Sequence, residues 1–186
     1  MKIDKNAALL IIDMQHGIKD PGLGQRNNPD AEHRLSELLS IWRQQQRPIV
    51  HIRHISRSPE SVFRPGQSGV EFQSLFLPTS EEHVVEKNVP DAFIATGLER
   101  WLRVRSIEQV VIGGAITNNS VESTARSSGN LGLKTLVVSD ATYTFDLQDA
   151  NGRIWPADDV HALSLANLAM DYASIITTTD LTALLH

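Results

Sequence analysis

Short apolar runs alternate along this chain with segments whose apolar residues recur at helical spacing. Ala7–Ile12 is apolar throughout and predicts a buried strand. In Arg34–Gln46, Leu35, Leu38, Leu39 and Trp42 recur three and four apart with polar residues between them, which predicts an amphipathic helix. Pro48–Ile55 reads as the second strand, Val84–Lys87 as a short third, Gln109–Gly113 as the fourth and Leu133–Ser139 as the fifth. Helices are expected over Gly97–Val104, over Ser120–Leu131 with an end near Gly132, and over Asp158–Tyr172. In that last helix Val160, Leu163, Leu165, Leu168 and Met170 supply apolar contacts. Ser174–Thr177 predicts a final strand, followed by a short terminal helix. Strands that are apolar almost throughout imply burial on both faces. Their alternation with helices implies an α/β fold with a parallel, doubly wound sheet.

No repeat, low-complexity tract or linker divides the 186 residues, so one domain is expected over 1–186. Ser56–Pro78 breaks the alternation. Pro59, Pro65, Gly66, Gly69 and Pro78 make it a long irregular segment. Such a loop either covers a substrate or packs as a surface or oligomer contact, and both readings stand.

Composition narrows the classes. A hydrophobic fraction of 41% and a charged fraction of 21% are ordinary for a soluble globular chain. The net charge of −5 offers no bulk attraction to nucleic acid or to an anionic membrane, and Arg53, Arg57 and Arg64 make only a weak local patch. No apolar run nears the roughly 20 residues that span a bilayer. Met1–Asn6 has no signal-peptide layout, so a cytoplasmic location is expected. The absence of cysteine rules out disulfides and thiolate metal sites.

Ligands of open parallel sheets bind beyond the carboxyl ends of the strands. Asp13, Lys87 and Ser120 all fall at or just past such ends. Each has a plain alternative. Asp13 could cap the segment that follows it, Lys87 could be a solvated strand end, and Ser120 could be a helix N-cap. Yet Asp13 follows four apolar residues, where an unpaired carboxylate is costly. Ser120 follows a glycine-marked turn and opens the expected helix, where backbone N–H groups favour developing negative charge.

The combination resembles the isochorismatase-like cysteine hydrolases over nearly the whole chain. The matching pieces are Ile11-Ile-Asp-Met-Gln15, Glu86-Lys-Asn-Val-Pro-Asp-Ala-Phe93, Gly113-Gly-Ala-Ile-Thr-Asn-Asn-Ser-Val-Glu-Ser-Thr-Ala-Arg126 and Asp140-Ala-Thr142. The third is the most specific. The resemblance implies a three-layer α/β/α fold with a six-stranded parallel sheet in the order 3-2-1-4-5-6, which brings Asp13 near Ser120. It implies hydrolysis of a small amide or ureido C–N bond through a covalent acyl-enzyme with an Asp-Lys-Cys triad. Asp13 and Lys87 take the first two roles. Backbone N–H groups of Ile116 and Ser120 form the oxyanion hole, beside an Ala115–Ile116 peptide at a position that is often cis. It also implies a homo-oligomer, with Ser56–Pro78 and Trp155 as candidate contacts. Isochorismate itself, an enol ether, is not favoured.

Ser120 stands where this family has its cysteine. A thiol with a pKa of about 8.5 is readily ionised beside a lysine and a helix end. A serine hydroxyl is far less acidic and needs a well-aligned base such as His. The serine form is therefore expected to bind substrate and turn it over slowly or not at all. It is either an engineered Cys→Ser change of the substrate-trapping kind, which the intact surrounding motif favours, or a natural serine hydrolase or silent binding protein.

No cofactor is expected. Met14-Gln-His-Gly17 stands where a nucleotide-binding fold would carry a glycine-rich phosphate loop. No metal is expected either. The family's zinc-binding members use an Asp-x-His arrangement after the second strand, whereas His51 and His54 here are three apart and point to opposite strand faces. Phe93, Tyr143 and Trp155 are candidate pocket walls, and Gln15, Arg57 and Asn118 candidate polar contacts to substrate. Phe145 reads rather as core.

Overall fold

The computed structural model describes residues 2–185, so the two ends of the expected domain, Met1 and His186, lie outside it. Its strands are β1 (Ala8–Ile12), β2 (Ile49–His54), β3 (His83–Lys87), β4 (Gln109–Ala115), β5 (Lys134–Tyr143) and β6 (Ser174–Ile176). Its helices are α1 (Ala31–Gln44), α2 (Leu98–Arg103), α3 (Glu122–Asn130), α4 (Ala157–Asp171) and α5 (Thr178–Leu185). A two-stranded antiparallel hairpin, Leu147–Gln148 with Ile154–Trp155, precedes α4. The six strands form one sheet in the order β3-β2-β1-β4-β5-β6, and every pairing is parallel. This is the three-layer α/β/α fold expected from the sequence.

Alternation along the central strands divides the core into two layers. Leu9 and Ile11 of β1 point to one face with Leu35, Leu38, Leu39 and Trp42 of α1 and Leu181 of α5. Ala8, Leu10 and Ile12 point to the other, with Leu98 and Leu102 of α2, Ala125 of α3, and Leu165 and Leu168 of α4. Both faces of β1 are thus covered, which is why its five residues are all apolar. The Trp42 indole N–H donates to the Ala7 carbonyl, so the largest side chain of this core leaves no unmet donor.

Several boundaries differ from the sequence reading for identifiable reasons. The first helix begins at Ala31 rather than Arg34, because its opening turn buries only Ala31 and shows no apolar period. β5 runs on through Asp140 and Thr142 to Tyr143, past an irregularity in its pairing between Ile112 and Gly114 of β4. The expected helix from Ser120 starts earlier and differently. Thr117–Val121 form a π-helical turn that runs directly into α3, with Val121 N–H donating to the Ile116 carbonyl.

Gly114 sets the spacing between the strands that carry the site. Its φ is 122°, and a Cβ there would lie 2.2 Å from the Ile12 carbonyl oxygen, next to Asp13. No L side chain fits that conformation without moving β4 away from β1. Gly114→Ala is expected to destabilise the fold by on the order of 3 kcal/mol. Urea denaturation measures this, and a loss below about 1 kcal/mol would mean that the two strands can separate freely here.

Candidate active site

Asp13, Lys87 and Ser120 meet just beyond the carboxyl ends of β1, β3 and β4. Lys87 Nζ donates to Asp13 Oδ2 at 2.7 Å and to Ser120 Oγ at 3.1 Å. All three side chains are buried. The ammonium therefore bridges the carboxylate and the hydroxyl, reaching β1 across the end of β2. The other carboxylate oxygen, Asp13 Oδ1, is buried and has no hydrogen-bond partner among the described residues.

Local backbone aims each group. Asp13 has φ of 53°, the left-handed region that turns the chain sharply at the end of β1. Its N–H still donates to the Ile52 carbonyl, and its own carbonyl accepts from Gln15 N–H. Asp13 caps no helix here, since the short turn that follows begins at Gln15 and has no side-chain cap. Ser120 is not an N-cap either. It lies inside the π turn, and no side chain caps that turn or α3. π turns recur at functional sites because they displace one side chain from helical register. The Ala115–Ile116 peptide leading into this turn is cis.

The remaining sequence candidates separate into groups. Gln15 is buried, and its amide is spent on backbone. It donates to the carbonyls of His54 and Val70 and accepts from His54 N–H. It thereby ties β2 to the Ser56–Pro78 loop, which Gln73 also fastens by donating to the Gln15 carbonyl. That loop is well packed, with Val70, Phe72, Gln73 and Phe76 buried. Tyr143 is enclosed in the α1 layer with the Arg26 guanidinium 3.4 Å from its ring centre. Burial and the Glu32 carboxylate push its phenol well above its usual pKa, against the opposing effect of Arg26. Phe145 packs edge-on against it, in keeping with a core role. Arg57 is exposed and donates to Asn88 Oδ1. Phe93 is half-buried and packs on the α2–α3 side of the core. Asn118 accepts from the Thr144 hydroxyl, and together with Trp155 it lines a hollow of about 570 Å³ beside α4.

The sequence reading considered His54 only as a metal ligand. It is paired in register with Lys87 across β2 and β3, and its ring stands edge-on to Phe63. Burial lowers its pKa, the nearby Lys87 ammonium adds to this, and Asp13 opposes it. A neutral imidazole therefore borders the ion pair. Its position at a strand end between Asp13 and Lys87 was a usable signal. His51 serves elsewhere, with its Nε2 2.8 Å from Glu82. Asp140 caps α5 by accepting from Thr178 N–H and its hydroxyl. Glu122, two residues after Ser120, is braced by Arg126 and by the Ser164 hydroxyl of α4.

The site is thus a buried ion pair at the strand ends of this sheet, joined to a hydroxyl on a π turn. The chain belongs to the isochorismatase family, whose Isochorismatase domain matches residues 7–180. It is 38% identical over 179 residues to the isochorismatase family protein YrdC of Bacillus subtilis (strain 168), covering 96% of each chain. It is 28% identical over 185 residues to Nicotinamidase 3 of Arabidopsis thaliana, covering 92% of this chain and 85% of that one. A crystal structure of an isochorismatase-family protein from Chromobacterium violaceum ATCC 12472 superposes with a TM-score of 0.96 at 42% identity. That match covers 100% of this chain and 96% of the other. The family is generally hydrolytic. Among the described residues, no helix is long and apolar enough to cross a membrane.

The ion pair also carries stability. Lys87→Met would strand a buried carboxylate, at a cost of about 3–5 kcal/mol. Adding Asp13→Asn should return more than half of that loss, because the remaining groups are neutral. A double-mutant cycle in urea measures the coupling. Additive losses would mean that the two charges do not depend on each other.

Proposed function

We propose that this chain has the active-site frame of a hydrolase for a small amide or ureido C–N bond, acting through an acyl-enzyme at position 120. The observation that carries this reading is the buried Lys87 ammonium donating to both Asp13 and Ser120. Family membership and a relative named as a nicotinamidase support the amide class.

With a cysteine at position 120, the Asp13 carboxylate takes the thiol proton, and Oδ1 is the oxygen available for it. The thiolate attacks the substrate carbonyl carbon, and the oxygen becomes an oxyanion held by the backbone N–H groups of Ile116 and of residue 120. The C–N bond breaks as protonated Asp13 gives its proton to the leaving amine. Water then attacks the thioester with Asp13 again as base, releasing the acid and the thiol. Lys87 holds Asp13 in place and balances charge. With serine, the hydroxyl is intrinsically far less acidic than a thiol, and Asp13 and Lys87 offer no aligned imidazole base to take its proton. The serine form is therefore impaired in turnover.

A silent small-molecule binding protein of the same fold is the second reading, favoured by the serine itself. Ser120→Cys should create ammonia or amine release from members of a panel of small amides and ureido compounds. Saturable binding without turnover in both forms would support the binding protein instead. Substantial activity in the present chain, abolished by Ser120→Ala, would identify a serine hydrolase.

Asp13→Asn in the Ser120→Cys background should lower turnover by about 10²–10⁴, the usual worth of a positioned acid–base group. Asn keeps the shape and some hydrogen bonding but cannot accept and return a proton. Full activity in that variant would leave Asp13 only the charge partner of Lys87, a role that a lowered Tm reports.

A further inference from the structure

One imidazole of α4 reaches the segment that carries position 120. His161 lies on the buried side of this helix with Ser164, Leu165 and Leu168. Its Nδ1 is 2.8 Å from the Thr117 hydroxyl oxygen. Its Nε2 is 3.5 Å from the Asn28 amide nitrogen. His161 and Thr117 are both buried, so each depends on the other for its hydrogen bond.

The neighbours set the roles of the two ring nitrogens. Burial lowers the pKa of the ring, against the opposing effects of the Ser139 carbonyl and the Asp158 carboxylate, so the imidazole is neutral near pH 7. Asn28 Nδ2 donates to the carbonyls of Ser139 and Thr142, at 2.9 and 2.7 Å, which spends both of its hydrogens. It has none left for Nε2. The Ser139 carbonyl favours a proton on that side of the ring. Nε2 then carries the hydrogen, Nδ1 is a bare acceptor, and the Thr117 hydroxyl donates to it.

Thr117 gives this bond its leverage. It opens the π turn, and its carbonyl accepts from Glu122 N–H five residues on. Val121 N–H closes the preceding ring onto the Ile116 carbonyl. Ser120 lies inside both rings. The branched Cβ of threonine couples its hydroxyl closely to the backbone, so fixing the hydroxyl fixes the first residue of the turn. Ser164 also approaches from α4, with its hydroxyl 3.3 Å from the Thr117 carbonyl. That hydroxyl has one hydrogen, and Glu122 Oε2 takes it at 2.5 Å. The hold of α4 on Thr117 therefore falls to His161.

We propose that His161 is a positioning residue: it accepts the Thr117 hydroxyl and so keeps the π turn in the conformation that points the side chain at position 120 to Lys87. Its bearing on turnover rests on the hydrolase reading, and its hold on that side chain does not.

The chain has no cysteine, so the thiol introduced by Ser120→Cys can be followed alone. The pH profile of its alkylation by iodoacetamide gives the midpoint of thiolate formation. The Lys87 ammonium favours the thiolate while the side chain faces it. In that background Thr117→Val, which keeps the shape and removes the hydroxyl, should raise the midpoint by about one pH unit, or roughly tenfold less thiolate on the acid side. His161→Gln, whose amide reaches the place of Nε2 and not of Nδ1, should do the same. Thr117→Ser keeps the donor and His161→Asn keeps an acceptor in the place of Nδ1, so each should restore most of the shift. Where Ser120→Cys turns over an amide, Thr117→Val and His161→Gln should lower kcat about tenfold with KM nearly unchanged. Nitrogen NMR of the chain with Ser120 should show a neutral His161 ring with its proton on Nε2. A Tm that falls in Thr117→Val while the midpoint stays put would reduce the contact to packing and overturn the proposal, as would a proton on Nδ1. A midpoint that moves in a Ser120→Cys chain without turnover would support the positioning role and remove the hydrolase reading instead.

Discussion

The site depends on one constraint: an ammonium placed below the surface must keep a carboxylate beside it. Lys87 is buried at the end of β3, where removal from water disfavours its charge unless a counter-ion and acceptors replace the lost hydration. Asp13 and the Ser120 hydroxyl are those replacements. Much of the surrounding architecture follows from holding them within reach. β1 ends in a left-handed residue, so that Asp13 swings toward Lys87 instead of continuing the strand. β4 is drawn against β1 by Gly114, which brings the π turn and Ser120 close. β2 runs between β3 and β1 in the sheet, so Lys87 must extend past its end.

Much of this was legible in the sequence, because both strand signals and strand-end signals survive without knowledge of contacts. Unbroken apolar runs exposed the two-sided burial of β1 and β4, and with it the parallel sheet. Asp13, Lys87 and Ser120 were legible as polar residues placed where such runs stop. What periodicity could not supply was side-chain direction in irregular backbone. Gln15 follows Asp13 by two residues, yet the turn sends its amide into backbone carbonyls. Tyr143 looked available for a pocket because β5 was expected to end at Ser139. The strand continues instead, and the irregularity in its pairing with β4 shifts the alternation so that Ala141 and Tyr143 join Leu136 and Val138 in the α1 layer. The hairpin strands are two residues each, too short for any period to register.

The π turn explains a subtler mismatch. A helix starting at Ser120 would give its hydroxyl a cap role and leave residues 117 to 119 as loop. Starting the helical path at Thr117 moves Ser120 off the end, so its hydroxyl faces Lys87 rather than the helix's own N–H groups. Asn118 and Glu122 are turned to the opposite side, toward α4. The same short segment thus presents one face to the ion pair and another to the helix packed outside it. Thr117 adds a tie to that helix through His161, 2.8 Å from its hydroxyl. α4 is tied to this segment by that contact and by the Ser164 hydroxyl, which donates to Glu122.

Retention of Asp13 and Lys87 in a chain with serine at position 120 does not by itself argue for chemistry. Once both are buried, each protects the other from being an isolated charge, so losing either alone is costly whatever the protein does. The more informative atom is Asp13 Oδ1. A buried carboxylate oxygen without a partner costs about 1–3 kcal/mol and returns nothing to the fold. A purely structural ion pair would have acquired a backbone N–H or hydroxyl at that position, as Glu82 has done with Arg43, Thr79 and His51. The hydrogen bonds from those three partners outweigh burial and hold the Glu82 carboxyl at about 2. Asp13 lacks such a set, and its unmet oxygen lies in the cluster with the position 120 side chain. The two buried acids of one chain thus differ in how fully their carboxylates are held by the fold.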